Sequence, residues 1–492
     1  MTGNRAPTAT GDTLSPPRNL AGALRPYPEY KESKLPWMGK IPQHWTEERA
    51  KYFFREVDER SKTGDEELLS VSHMTGVTPR SQKNITMFKA ESYAGYKLCK
   101  PRDLVINTMW AWMGALGVSK YLGIVSSGYG VYRPLDDQAL LSEYIDSLLR
   151  IDPYRSEYYC RSTGIRSSRF RLYPEQFLRM PLICPPHEEQ EKIMAFLQMK
   201  DRQIKRYILT KRQLIGVLNE QKQVIINHAV TGGIDPNIRL KPSGIEWLGD
   251  VPEHWEVQKI SQLFKKIGSG TTPDTGKQEY YGGDIKWINT GDLNDSILTD
   301  CQKTVTKKAI EDFSVLTVYP KGSFIVALYG ATIGKTCITD FEACTNQACC
   351  VLSKPYQKIN IKFLMNWFFS FRPQLIGMSY GGGQPNISQT LIRSLRVPVP
   401  PHVEQDKIVA FIDGQCKAIE LTIENAKHEI DLIREYRNRL IANVVTGKVD
   451  VRSVQIQDEM PVDIEDIEDI DVLDDNGGDN NDDGDEDEEN DK

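Results

Sequence analysis

The feature that most constrains this chain is that it repeats itself. "LPWMGKIPQHW" at 35–45 returns as "IEWLGDVPEHW" at 245–255, so that Trp37, Gly39, Pro42, His44 and Trp45 are matched by Trp247, Gly249, Pro252, His254 and Trp255, 210 positions on. "PPHEEQEKIMAF" at 185–196 returns as "PPHVEQDKIVAF" at 400–411, and "AVTGGIDP" at 229–236 is echoed by "VVTGKVDV" at 444–451, both 215 positions on. Start, middle and end markers recur in one order, which is the mark of a tandem duplication. Between Trp45 and Pro185 the first copy differs strongly from its partner; after Pro185 and Pro400 the two look alike.

In the alike parts, apolar residues fall at Ile193, Leu197, Ile204, Ile208, Ile215, Leu218, Ile225 and Ala229, and 215 positions later at Ile408, Ile412, Ile419, Ile423, Ile430, Ile433, Leu440 and Val444. Spacings of three, four and seven place each set on one helical face. The spacing predicts helices over 187–231 and 402–446, each about 65 Å long at 1.5 Å per residue. Paired prolines stand before each start, and Gly232 and Gly447 follow as stops. One apolar seam needs a partner. The simplest is the other repeat's helix, packed antiparallel; two separate helices, each docked on its own domain, is the other arrangement the pattern allows.

The variable parts read as mixed. "RDLVINTMWAW" and "GSFIVALYGATIG" resemble short buried strands, while "QALLSEYIDSLLR" and "IKFLMNWFFSF" read as helices. The expected architecture is therefore α+β: two α/β domains joined by two long antiparallel coiled-coil helices in a tandem pseudo-two-fold repeat. The expected bounds are a disordered tail over 1–33, a domain over 34–184, a helix over 185–233, a second domain over 244–399, a second helix over 400–449 and an acidic disordered tail over 453–492.

The net charge of −7 conceals a split. From Ser453 onward nineteen acidic residues face Lys492 alone, a charge of −18 that leaves +11 for the rest. A basic body suggests nucleic acid. Nine cysteines without regular spacing argue against a disulfide framework, and the absence of C-x-x-C argues against zinc. "QACCVL" reads as a buried strand with reduced thiols. No apolar run of about 18 residues exists to cross a membrane, and the N-terminus has no apolar signal core. The expected location is the cytoplasm.

Taken together, the W-x-G-x-x-P-x-x-W repeat starts, the "PPHEEQEKI" and "PPHVEQDKI" helix entries, "GGGQPNIS" at 381–388 and the order of parts resemble the specificity subunit of type I restriction–modification systems. The resemblance covers 34–450; the N-terminal extension and the acidic tail depart from it. It implies two target-recognition domains that each read one half of a split DNA sequence, and helices that act as a ruler between the halves. It implies a subunit without catalytic residues, metal or cofactor of its own. Its partners would be double-stranded DNA, two modification (methyltransferase) subunits using S-adenosylmethionine, and restriction subunits using ATP and magnesium. A methyltransferase-binding decoy that reads no DNA, and a nuclease or NTPase, are the alternatives from other classes.

Candidate DNA contacts follow from side-chain chemistry. In "GGGQPNIS", Gln384, Asn386 and Ser388 lie on a Gly-rich loop, and amides can pair bidentately with adenine. "YGATIGKT" at 329–336 nearly spells a phosphate-binding loop, but the first glycine is displaced: position 329 is Tyr and Gly330 comes one residue late. Its Lys335 is assigned to a DNA phosphate or to a plain turn. "MGALGVSK" is read as its counterpart, with Gly114, Gly117 and Lys120. The first domain carries "STGIRSSRFRLYPEQF" in place of "GGGQPNIS", so that Arg161, Arg166, Arg169 and Arg171 are its phosphate or guanine candidates. Trp110 and Trp112 are read as core. "PDTGKQEYYGGDIK" mimics a nuclease pattern through Asp274, Asp284 and Lys286 without a counterpart in the first domain. In the acidic tail, Ile464, Ile467 and Ile470 allow one short helical turn.

Overall fold

The two apolar seams form long helices, His187–Gly232 and His402–Val445. Ile193, Leu197, Ile204 and Ile208 are buried on the first, and Ile408, Ile412, Ile419, Ile423, Ile430, Ile433, Leu440 and Val444 on the second. The seam drifts near the end of the first helix: Ile215 and Ile225 are half-buried and Ile226 is buried instead. A straight helix turns 3.6 residues per cycle, so a strict seven-residue repeat slides around it.

The computed structural model describes residues 25–82, 92–136, 139–165, 170–356, 358–379 and 386–456. The chain divides into two compact units, one from Met1–Arg212 with Lys427–Lys492, the other from Gln213–Ala426. Each long helix thus gives one part to each unit. In the first unit, Asp201 pairs with Arg437 at 2.5 Å, and Lys211 with Glu429 at 2.6 Å. As one helix advances the other retreats, so these segments run in opposite directions. Tyr207 also donates to Glu429, at 2.5 Å. In the second unit Lys222 pairs with Glu420.

The main sheet of the first unit runs in the order Phe54–Glu56, Gly130–Pro134, Leu104–Ile106, Leu116–Val118, all antiparallel. That of the second runs Phe264–Gly268, Cys349–Pro355, Phe324–Ala327, Thr336–Thr339, Ser296–Leu298, with the last pair parallel. A second sheet there joins Thr304–Val305, Tyr281–Ile288 and Ala343–Thr345. Behind the strands lie the helices Ser142–Leu149 and Asp152–Arg161 in one unit and Ile361–Gly377 in the other. All nine cysteines are free, and the "QACCVL" strand buries Cys349 and Cys350. Among the described residues no helix is long and apolar enough to cross a membrane.

The recurring sequence markers meet in space, once in each unit. Trp45 donates its indole N–H to Glu189 at 3.1 Å and His44 Nε2 meets the same carboxylate at 2.8 Å. Trp255 donates to Glu404 at 3.1 Å and His254 meets it at 2.6 Å. The next residue of each helix entry is a fully buried glutamine. Gln190 Nε2 donates to the Pro185 carbonyl at 2.9 Å, and Gln405 Nε2 to the Pro400 carbonyl at 2.8 Å. Their Oε1 atoms accept from Leu141 N and Asn360 N, the residues that start the helices behind each sheet. The end markers close the same joints. Gly447 has φ +72° against Pro42 and Trp45, and Gly233 has φ +80° against Trp255 and Pro252. The repeated motifs are thus the fastenings of the scaffold.

One boundary needs correction. Residues 25–33, assigned to a disordered tail, are built into the first unit. Tyr27 is buried and donates to Glu189, Tyr30–Glu32 pairs with Lys40–Pro42, and Arg25 bridges to Asp450. The Pro-rich composition of the segment hid its tyrosines, whose rings bury large apolar area while each hydroxyl finds a partner. Residues 1–24 and 457–492, with Ile464, Ile467 and Ile470, lie outside the described residues.

Candidate nucleic-acid interface

In each unit three loops converge on one end of the main sheet. In the second unit the turn after Phe324–Ala327 is fixed from two sides: Leu328 N donates to Ala348 O, and Ile387 N donates to Leu328 O, both at 2.8 Å. A bridge between Tyr329 and Asn386 completes the contact. The start of "YGATIGKT" and Asn386–Ile387 of "GGGQPNIS", more than 40 positions apart in the chain, therefore form one patch. Burial raises the Tyr329 phenol above its ordinary value, so it stays a protonated donor at neutral pH.

The backbone excludes a nucleotide cradle at "YGATIGKT". A phosphate-binding loop opens a helix, whose N-terminus faces the phosphates. Here a short turn, Gly330–Thr332, leads into the strand Thr336–Thr339. Gly330 and Gly334 adopt φ +78° and +75°, as a tight reversal requires. Arg372 Nε donates to the Gly334 carbonyl at 3.0 Å, and Arg372 also pairs with Asp295, which accepts from Thr336 N at 3.0 Å. Lys335 is left half-exposed beside this braced turn.

Two of these hydrogen bonds have counterparts in the first unit, 220 positions earlier at the turn and 215 at the loop that meets it. Asn107 N donates to Ala115 O at 3.0 Å, as Ala327 N does to Lys335 O at 2.9 Å. Leu172 N donates to Thr108 O at 2.9 Å, the counterpart of Ile387 to Leu328. This register corrects one sequence reading. Ala115 and not Lys120 stands where Lys335 does, and Gly114 with φ +91° matches Gly334. Lys120 is exposed, but it follows Ser119, which pairs with Asp103 at the far end of the hairpin. Gly117 lies within the strand Leu116–Val118 and makes no turn.

The other predicted contacts divide. Arg171 is exposed, and its backbone pairs with Thr163 in both directions at 3.0 Å. Arg161 donates to the buried Glu157 at 2.7 Å, so part of its fork is spent on its own helix. Asn386 is exposed at the patch. Ser388 caps the helix Gln389–Ser394 by accepting from Leu391 N at 3.0 Å, a fastening role. Arg166, Arg169 and Gln384 lie outside the described residues. Trp110 and Trp112 are half-buried and stack on one another with centroids 6.0 Å apart; they are not core residues. Tyr159 packs edge-on against Trp112 and is exposed. The nuclease-like pattern does not assemble: Lys286 pairs with Asp300 at 2.5 Å, while Asp284 points to solvent. Among the described residues no group of three or more His, Cys, Asp or Glu could hold a metal ion.

Sequence reasoning missed Asn346 and Gln347, which form the third loop, and Thr272, which touches it. Their signal was "ACTNQACC": two amides at the break of an apolar run. The counterpart turn holds Ser126 and Gly128, with Thr108 Oγ1 donating to Gly128 O at 2.8 Å.

Residues 252–431 match the family described as the type I restriction modification DNA specificity domain. The type I restriction enzyme MjaIX specificity subunit of Methanocaldococcus jannaschii is 27% identical over 201 residues, 40% of this chain and 45% of that one. The EcoR124I/EcoR124II specificity subunit of Escherichia coli is 22% identical over 260 residues, 52% of this chain and 59% of that one. Over these stretches the chain is similar to type I restriction specificity subunits. The matched stretches span about half the length of these curated relatives. A chain of a solved type I restriction–modification system shares this fold, with a TM-score of 0.56 at 14% identity over 82% of this chain and 98% of that one.

Proposed function

We propose that this chain is the DNA sequence-recognition and scaffold subunit of a type I restriction–modification complex, reading a target of two blocks separated by unread bases. The observation that carries the reading is the duplicated sheet end. Three corresponding loops, two of them held by the same backbone bonds, carry Trp110, Trp112 and Arg171 in one unit and Lys335, Gln347 and Asn386 in the other. Constant bonds with different side chains are what two reading heads for two different blocks need. The +11 charge outside the acidic tail supplies attraction to the phosphate backbone. The long helices act as a coiled-coil ruler that fixes the gap. Adenine methylation with S-adenosylmethionine, and ATP- and magnesium-dependent restriction, belong to partner subunits in the cytoplasm.

The test is a swap. Replacing residues 46–180 with the same region of a relative should change one block of the methylated motif and leave the other block and the gap as they were. A change in both blocks, or in neither, contradicts the reading.

A further inference from the structure

The entry to the second unit's sheet, "GSGTTP" at 268–273, has no role in the scaffold joints, yet it is fixed with unusual care. Gly270 packs directly against the Thr345 carbonyl, where any Cβ would collide with backbone. The Trp287 indole donates to Thr271 O at 3.3 Å and the Tyr281 hydroxyl to Pro273 O at 2.6 Å. Three fastenings thus hold the residues around Thr272 and leave its hydroxyl to Gln347. Thr272 Oγ1 donates to Gln347 Oε1 at 2.7 Å, across 75 positions of chain. Gln347 is exposed, in the loop that adjoins Leu328 and Tyr329. A bond between solvent-facing side chains adds little stability, so the scaffold gains little from such an arrangement. Its neighbour Asn346 is spent on the turn, accepting from Ala348 N at 3.1 Å and donating to Asn289 at 3.2 Å.

We propose that Thr272 and Gln347 form a base-reading pair of the second unit, set for adenine in the major groove. The inference rests on the DNA-recognition reading above. With Oε1 engaged by the threonine, the glutamine presents its Nε2 hydrogens as donors, and Thr272 Oγ1 keeps lone pairs as acceptor beside them. Adenine shows the complement, an N7 acceptor next to an N6 donor; guanine shows two acceptors there. The Gly270 contact and the two fastened neighbours prevent Thr272 from turning away, so the pair is preorganised before DNA arrives. Its counterpart in the first unit, 220 positions earlier, is Ser127, so the first unit does not repeat the pair.

The experiment measures affinities of the full chain, assembled with its modification subunit, for duplexes altered one base at a time in each block. Gln347→Ala and Thr272→Val should each lower affinity for the cognate duplex by about tenfold and flatten discrimination at one position of one block. Gln347→Glu, which keeps the size and replaces the donor by an acceptor, should lose the adenine preference at that position. Two results overturn the pair: a discrimination profile unchanged in all three variants, or an equal loss on cognate and unrelated duplexes. A wild-type complex without preference for any two-block sequence removes the proposed function itself, and the pair with it.

Discussion

Trp45 and Glu189 meet at 3.1 Å, and that contact joins the start of the repeat to the first turn of a helix 144 positions away. Glu189 also accepts from Tyr27 and faces His44, so a single carboxylate, only 6% exposed, holds three partners. Its twin Glu404 has two, Trp255 and His254, and is 22% exposed.

Removing the more buried carboxylate should therefore cost more. Glu189→Ala leaves a buried indole N–H and a buried phenol without acceptors, a loss of about 2–6 kcal/mol at about 1–3 kcal/mol per orphaned group. Glu404→Ala orphans only the buried Trp255 indole, because solvent reaches His254, and should cost about 1–3 kcal/mol. Denaturant unfolding of the two variants checks the order.

The glycines at the helix ends offer an independent comparison. Both Gly447 and Gly233 hold φ near +75°, where an L-residue is strained by about 1–2 kcal/mol. At Gly447 a methyl would also run into the Pro42 ring, with Trp45 Cη2 at 2.9 Å, whereas at Gly233 its nearest neighbour is Trp255 at 3.4 Å. Gly447→Ala should lower the melting temperature clearly more than Gly233→Ala.

The helix pair carries an acid-sensitive contact. Hydrogen bonds from Lys211 and then Tyr207 hold the Glu429 carboxyl below its ordinary range. A depressed folded value means that the stabilisation is full above the unfolded pKa and is lost as pH falls through the folded one. The stability difference between wild type and Glu429→Gln should thus be constant near neutrality and shrink only below about pH 4. A difference that vanishes near pH 6 would contradict this assignment.

Thiol reactivity should single out one cysteine of nine. Burial pushes Cys99, Cys337, Cys344 and Cys350 up to about 12, and Cys160 alone is exposed. Thiolate is the reactive form, so mass spectrometry after brief alkylation at neutral pH should find the label on Cys160 first. The four raised thiols should react only on unfolding.

Local pattern made the long helices legible: a seam of eight apolar residues leaves little freedom in phase, and the observed helices end within a residue of the predicted 187–231 and 402–446. It also gave the hairpin strands and the Cys349–Cys350 core strand. What the repeated motifs do was not legible. Trp45, Glu189 and Gly447 look like three separate signatures, and only tertiary closure makes them one joint. The misplacement of Lys120 has a similar cause. Matching glycine and lysine letters gave one alignment, whereas hydrogen-bond register, which is blind to side chains, gave another. At the candidate interface Asn386 was visible because glycines flank it, but Thr272 and Gln347 acquire meaning only once the strand ends bring them together.

The measurement closest to the central claim is methylation mapping. Expressed with its modification subunit in a host without DNA methylation, the chain should direct adenine methylation to a motif of two short blocks separated by a fixed number of unread bases. A stable complex that modifies no such motif, or one with a single continuous block, would contradict the account.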